Sequence, residues 1–209
     1  YDLGETVLTA ITGNNISIIG ESMEGTIIKN APDVKIEGIS STATLHIIKN
    51  VAGTYLQDLT LQNALDYYKN DNGRAVCLWD QGTQTVCKNV RMLSYQDTYY
   101  SNMQGAVKYF EDCEIHGTVD VMCGDESVYF ENGLLYCEKR KAAGGGEDCI
   151  TANNGGSIPT GYLADNEIVN FLMEYKIALP GLENLIAKTA IVKITLKNGE
   201  VGYFPLINE

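Results

Sequence analysis

The segment FEDCEIHGTVD, residues 110–120, decides how this chain is read. It runs from an apolar position through any residue to an Asp, then two more residues and a second apolar position, and it carries a further aspartate eight residues after Asp112. Just upstream, CKNVRMLSYQD at 87–97 has the same layout, with Asp97 eight residues after Asn89. Working outward, the short phrase recurs as LQDLTL at 56–61, FENGLL at 130–135 and LADNEI at 163–168. Its Asp/Asn column falls at 58, 89, 112, 132 and 165, with intervals of 31, 23, 20 and 33 residues. Such uneven intervals suit coils of one solenoid joined by loops of different length, and they are too short and too β-branched for stacked helical pairs. NISIIGE and DVKIEGI, at 15–21 and 33–39, alternate apolar and polar residues like short strands ending at glycine, and fit the first coils. Asp and Asn suit a repeated corner because their side chains bond nearby backbone and they tolerate turn geometry that β-branched residues resist. The pattern predicts an all-β right-handed parallel β-helix over residues 1–169. The competing architecture is an antiparallel sandwich whose turns happen to carry Asn and Asp.

In the solenoid register, Asp97 and Asp120 occupy equivalent places on successive coils. Adjacent parallel strands lie about 4.8 Å apart, so the two carboxylates stack. At that separation they cannot both ionise freely, and one holds its proton to higher pH, which provides an acid and a nucleophile or base in one site. Gln96 adjoins Asp97, and Gln81 lies eight residues before Asn89; their amide N–H groups would stabilise an oxyanion formed when a carboxylate attacks an ester. Acyl transfer then needs no serine, cysteine or histidine, because an aspartate can form an anhydride with the acyl group. The competing reading is that both aspartates merely finish turns.

Bulk properties narrow the function classes. The 209 residues are 44% hydrophobic, enough for one substantial core. A formal charge of -12 with a pI near 4.6, and three arginines in all (Arg74, Arg91, Arg140), argue against a nucleic-acid partner. No apolar run approaches the roughly 20 residues of a membrane span, and YDLGETVLTA at the start has no signal-peptide pattern. Six cysteines form no CxxC pair, and buried free thiols are favoured over bridges. No cofactor and no metal site are expected; Asp125 and Glu126 are read as surface charge, AAGGGED at 142–148 as a flexible loop, and His116 as a satisfied turn residue.

AVCLWDQGTQTVCKNVRMLSYQDTYY followed by KYFEDCEIHGTVDVMCGDESVYFENGLLYCE resembles the pectinesterases (pectin methylesterases), whose signatures are YQDTLY-like and GTVDFIFG-like segments. The likeness extends over approximately residues 5–169. It implies a right-handed parallel β-helix that hydrolyses methyl esters of polygalacturonate, with methylated pectin as partner; a secreted or periplasmic location and a monomer are expected. Carried over, it implies Asp120 as nucleophile, Asp97 as general acid and then base, and Gln81 and Gln96 as anion hole. Tyr95, Tyr99, Tyr100 and Trp79 are candidate sugar-binding surfaces.

The chain departs from that family in three places. It has no LGRPW-like segment with an arginine for the nucleophile; Arg140, eight residues after Asn132, is the expected substitute. Val121 and Cys123 stand where the family has aromatics. Residues 170–209 do not continue the pattern: 170–188 have mixed helical and loop character, and AIVKITLKNGEVGYFPLI reads as a hairpin around Asn198-Gly199, suited to capping the solenoid. The alternative function is an inactive homologue that binds acidic polysaccharide. A β-helical lyase would need a calcium cluster and a base over the cleft, for which the sequence offers little.

Overall fold

The computed structural model describes residues 9–32, 38–65 and 73–138, together with the backbone of strands at 151–153, 162–164, 171–173, 191–195 and 201–205. The chain winds as a right-handed parallel β-helix. One sheet stacks Thr9–Ile11, Leu45–Ile47, Leu78–Asp80, Tyr99–Ser101, Met122–Gly124 and Thr151–Asn153, each parallel to the next. The other sheet is folded along its length. Thr54–Asn63 and Gln84–Leu93 each run through the fold line, and the shorter pairs Ser17–Ile19 with Ile27–Asn30, Val107–Glu111 with Glu114–Gly117, and Ser127–Glu131 with Leu134–Cys137 flank it.

The fold line is the Asp/Asn column. Asp58, Asn89, Asp112 and Asn132 all adopt left-handed backbone, with φ between 51° and 54°. Asp and Asn tolerate that region where most residues do not. One pair of successive corners is also bonded side chain to side chain, Asn89 donating to Asp58 at 2.6 Å. Position 165 lies outside the described residues.

The core consists of inward columns in strict register. Leu56, Cys87, Phe110 and Phe130 form one, and Leu61, Met92, Ile115 and Leu135 another. Leu45, Leu78, Tyr99 and Met122 line the opposite wall. All twelve are buried, and edge-to-face contacts join Tyr99 to Phe110 and Phe110 to Phe130 at 5.0 and 5.1 Å. Cys77, Cys87, Cys113 and Cys123 are buried free thiols, as the apolar surroundings of these segments suggested.

One corner holds charge rather than hydrocarbon. Lys108 is completely buried, its Nζ 2.8 Å from Asp80 and 3.3 Å from Glu126, also donating to the Gly82 carbonyl and Thr85. Glu126, read from sequence as surface charge, has no exposed area; it accepts the Met103 N–H, and burial pushes its carboxyl up to about 8. The adjacency of Asp125 and Glu126 suggested solvent, but alternation along the chain puts the second inside, where Lys108 waits one coil away.

Beyond the coils, pairing changes sense. Phe171–Met173, Ile191–Thr195 and Val201–Pro205 form an antiparallel sheet, with Thr195 opposite Val201 in the expected hairpin. Phe171–Met173 is a strand where the sequence suggested mixed helix and loop; three consecutive apolar residues carry no period to tell the two apart.

Candidate active site

Asp97 and Asp120 each precede a strand of the first sheet, Tyr99–Ser101 and Met122–Gly124, which are paired with each other. Both aspartates have left-handed backbone, φ 58° and 50°. The two turns are laced together. Asp97 N–H donates to the Val119 carbonyl at 3.0 Å, Thr118 N–H to Tyr95 at 2.6 Å, and Thr98 Oγ1 to His116 at 2.8 Å. Gly117 allows this approach, because a Cβ there would lie 2.6 Å from Thr98 Oγ1 and 2.7 Å from the Tyr95 carbonyl. The carboxylates thus sit on neighbouring coils by main-chain geometry, whatever their side chains do.

Both carboxyls line a cavity of about 410 Å³ with Ile39, Arg74, Tyr100, Asn102, Cys123, Gly124 and Asp125. Their environments differ. Asp97 is 5% exposed, and burial, followed by the charge of Asp120, raises its pKa to about 6 against the pull of Arg74 and a hydrogen bond from the Cys123 thiol. Asp120 is half-buried; burial raises its carboxyl above the ordinary aspartate value and Arg74 opposes the rise. The more enclosed Asp97 is the one to hold a proton near neutrality, and Asp120 is the one to ionise first.

Arg74 was not among the residues picked out from sequence. Its Nε lies 3.3 Å from Asp97 Oδ2, and its side chain is 47% exposed. Among the described residues it is the one cationic side chain lining the cavity. A signal for it existed, since Arg74 lies twenty-three positions before Asp97, as Asp97 lies before Asp120. The three residues come from three successive coils: Ala75 N–H donates to Gln96 one coil on, and Gln96 bridges to Val119 on the next. Arg140 falls outside the described residues.

The glutamines are placed differently from the expected anion hole. Gln81 lies past Leu78–Asp80, where its Oε1 accepts from His46 Nε2 at 2.9 Å, and it does not line the cavity. Gln96 is half-buried beside Asp97 with its backbone in the bridge to Val119, and it is likewise absent from the cavity wall. Counting eight residues back from a corner located Gln81 along the chain but missed the bend between strands, which carries its side chain to the neighbouring coil.

The aromatics divide. Tyr99 points inward, fully buried against Phe110, with its hydroxyl 3.5 Å from Asp80. Tyr100, next along the strand, faces outward into the cavity. Tyr95 is half-buried in the turn before Asp97. Trp79 stands opposite Tyr100 in register and His46 opposite Trp79. The His46 and Trp79 rings stack at 3.7 Å and 6°, and the indole N–H donates to Asn102, itself on the cavity wall. An outward row of His46, Trp79, Tyr100 and Cys123 therefore leads down the sheet to the carboxylates. His46, not singled out from sequence, belongs to it because its strand carries the same alternation one coil earlier.

A family model described as Pectinesterase matches residues 3–163. Pectinesterase/pectinesterase inhibitor 18 and probable pectinesterase/pectinesterase inhibitor 64, both of Arabidopsis thaliana, are 29% and 28% identical over 148 and 178 residues. These stretches take in 71% and 82% of this chain but 25% and 28% of the two relatives, so the chain spans about a quarter of their length. Among solved structures, a pectin methylesterase in complex with a hexasaccharide superposes with a TM-score of 0.65 at 21% identity, covering 98% of this chain and 74% of the other. The pectin methylesterase of Erwinia chrysanthemi gives 0.64 at 20% identity with the same coverage, and both likenesses establish the fold.

Proposed function

The chain belongs to the pectinesterase family, and from that premise we propose that it hydrolyses methyl esters of polygalacturonate to pectate and methanol, with Asp120 as nucleophile and Asp97 as acid and then base. The observation that carries this reading is the pair of stacked carboxyls with unequal burial at the wall of one cavity. Asp120, ionised, attacks the ester carbonyl; Asp97, still protonated, gives its proton to the departing methoxy oxygen, and methanol leaves an acyl-aspartate anhydride. Asp97, now ionised, takes a proton from water as that water attacks the anhydride. Collapse releases Asp120 and the uronic acid, which loses its proton to solvent.

The outward row of Tyr100, Trp79 and His46 supports a polymeric substrate lying along the first sheet, since aromatic faces and edges suit sugar rings and Asn102 and Asp125 offer polar partners at the same wall. Cys123 in place of an aromatic leaves the thiol beside Asp97, so the apolar contact at this rung falls to Tyr100. A wall polysaccharide as substrate places the work of this chain outside the cytoplasm.

The test is methanol release from highly methylated pectin by the wild type and by Asp120→Ala at equal folded concentration. Release that disappears in the variant supports the aspartate esterase. No release from the wild type, with retained binding to pectin, would replace it with an inactive polysaccharide-binding module.

A further inference from the structure

We propose that Arg74 is the charge partner of this site: it positions Asp97 through Nε and presents the rest of its guanidinium to the oxyanion formed when Asp120 attacks. The inference rests on the esterase reading above and names a residue that the sequence motifs did not supply. Three observations carry it. Arg74 Nε is 3.3 Å from Asp97 Oδ2. Arg74 and Asp120 line the same cavity, where no other described residue is cationic. Arg74, Asp97 and Asp120 come from successive coils at equal spacing, so the parallel register sets the backbone of Arg74 beside those of the two aspartates.

Charge accounting makes the role specific. Before reaction the reacting pair carries one negative charge, on Asp120, beside the Arg74 cation, with Asp125 a further acid on the same wall. On attack that charge moves to the carbonyl oxygen of the tetrahedral adduct, and the anhydride forms only as methanol leaves. With that departure the charge moves again, to Asp97. Water attack and collapse return it through a second oxyanion to Asp120. One negative charge therefore travels between three positions around Arg74, and at no step do Asp97, Asp120 and the substrate carbonyl carry more than that one charge between them. A guanidinium suits this task, because it stays ionised and its planar fork of donors can hold one oxygen while another edge remains on Asp97. Gln81, bonded to His46, is not placed to contribute, and the half-exposed side chain of Arg74 leaves donors available to substrate.

The experiment uses the full chain with Arg74→Gln, Arg74→Lys and Arg140→Ala, reading kcat and KM on methylated pectin and the carboxyl titrations of Asp97 and Asp120 by carbon NMR. Arg74→Gln is expected to lower kcat about 100- to 1,000-fold, the scale of losing an oxyanion partner, with little change in KM. Both aspartate titrations move upward, and Arg74→Lys restores the titrations and part of kcat. A kcat within threefold of wild type in Arg74→Gln, or unmoved titrations, would overturn the proposal; so would a large loss in Arg140→Ala alone. A wild type that releases no methanol overturns the esterase reading and the oxyanion role together, and the titrations then decide the positioning role by themselves.

Discussion

At Asp97 the folded protein keeps its proton to about pH 6, whereas an unfolded chain releases it near 3.8. Two consequences follow from this one carboxyl. The proposed mechanism needs Asp97 protonated and Asp120 ionised, so kcat/KM should follow a bell whose alkaline limb lies near pH 6 and whose acid limb reports Asp120. A plateau extending to pH 9 would remove Asp97 from the role of acid in the rate-determining step. The second consequence concerns stability. The folded state binds more protons than the unfolded one between the two values, so the contribution of Asp97 falls as pH rises from about 4 to 6 and stays lost above. Asp97→Asn should therefore abolish turnover yet raise stability at pH 7 by up to about 3 kcal/mol, less whatever Arg74 loses with its partner. Thermal melts at pH 7 and pH 4 check this; the gain should vanish at the lower pH. Both aspartates were legible because each repeats a motif eight residues after a corner. Arg74 repeats only as a position, with no motif of its own, and side-chain type is what sequence reading followed.

Between residue and molecule lies the coil, which is shaped at two places. The left-handed corners are one: Asn89→Val should cost about 1–2 kcal/mol in urea unfolding, while Asn89→Gly keeps the backbone and loses only the bond to Asp58. The buried trio of Asp80, Lys108 and Glu126 is the other. Lys108→Met strands two carboxyls without their cation and should destabilise by about 3–5 kcal/mol. Glu126 holds its proton to about pH 8 in the folded state against an ordinary value of 4.5, so stability declines as pH rises between these values, and Glu126→Gln should flatten that decline. A Glu126→Gln protein with an unchanged stability profile from pH 5 to 9 would show that the carboxyl is ionised throughout. The corners were legible because Asp and Asn are the residues that left-handed backbone accepts. The trio was not, because a lysine and two acids look the same in sequence whether they face water or each other.

At the scale of the whole molecule, a protein of net charge -12 is proposed to convert a neutral ester polymer into a polyanion. Its product is repelled by its own field, and that repulsion is screened by salt over about 10 Å at 0.1 M. Activity on sparsely methylated pectin should therefore rise as ionic strength goes from 10 to about 150 mM, while activity on fully methylated pectin changes little. Initial rates on the two substrates across a salt series decide it, and equal salt responses would mean that only local charge matters. Trp79→Ala tests the outward row on the same polymer: KM should rise several-fold with kcat preserved, the pattern of lost ground-state binding.

The site is built from one side chain per coil over three coils, with main-chain bonds between coils fixing their spacing. No continuous stretch of chain shorter than that contains it, and no intermediate that lacks any of these three coils can form it. On the proposed chemistry, ester cleavage during refolding should appear only after the last of these three coils has docked, later than the first β-sheet signal in circular dichroism, so that activity times the closure of these coils rather than of the whole solenoid.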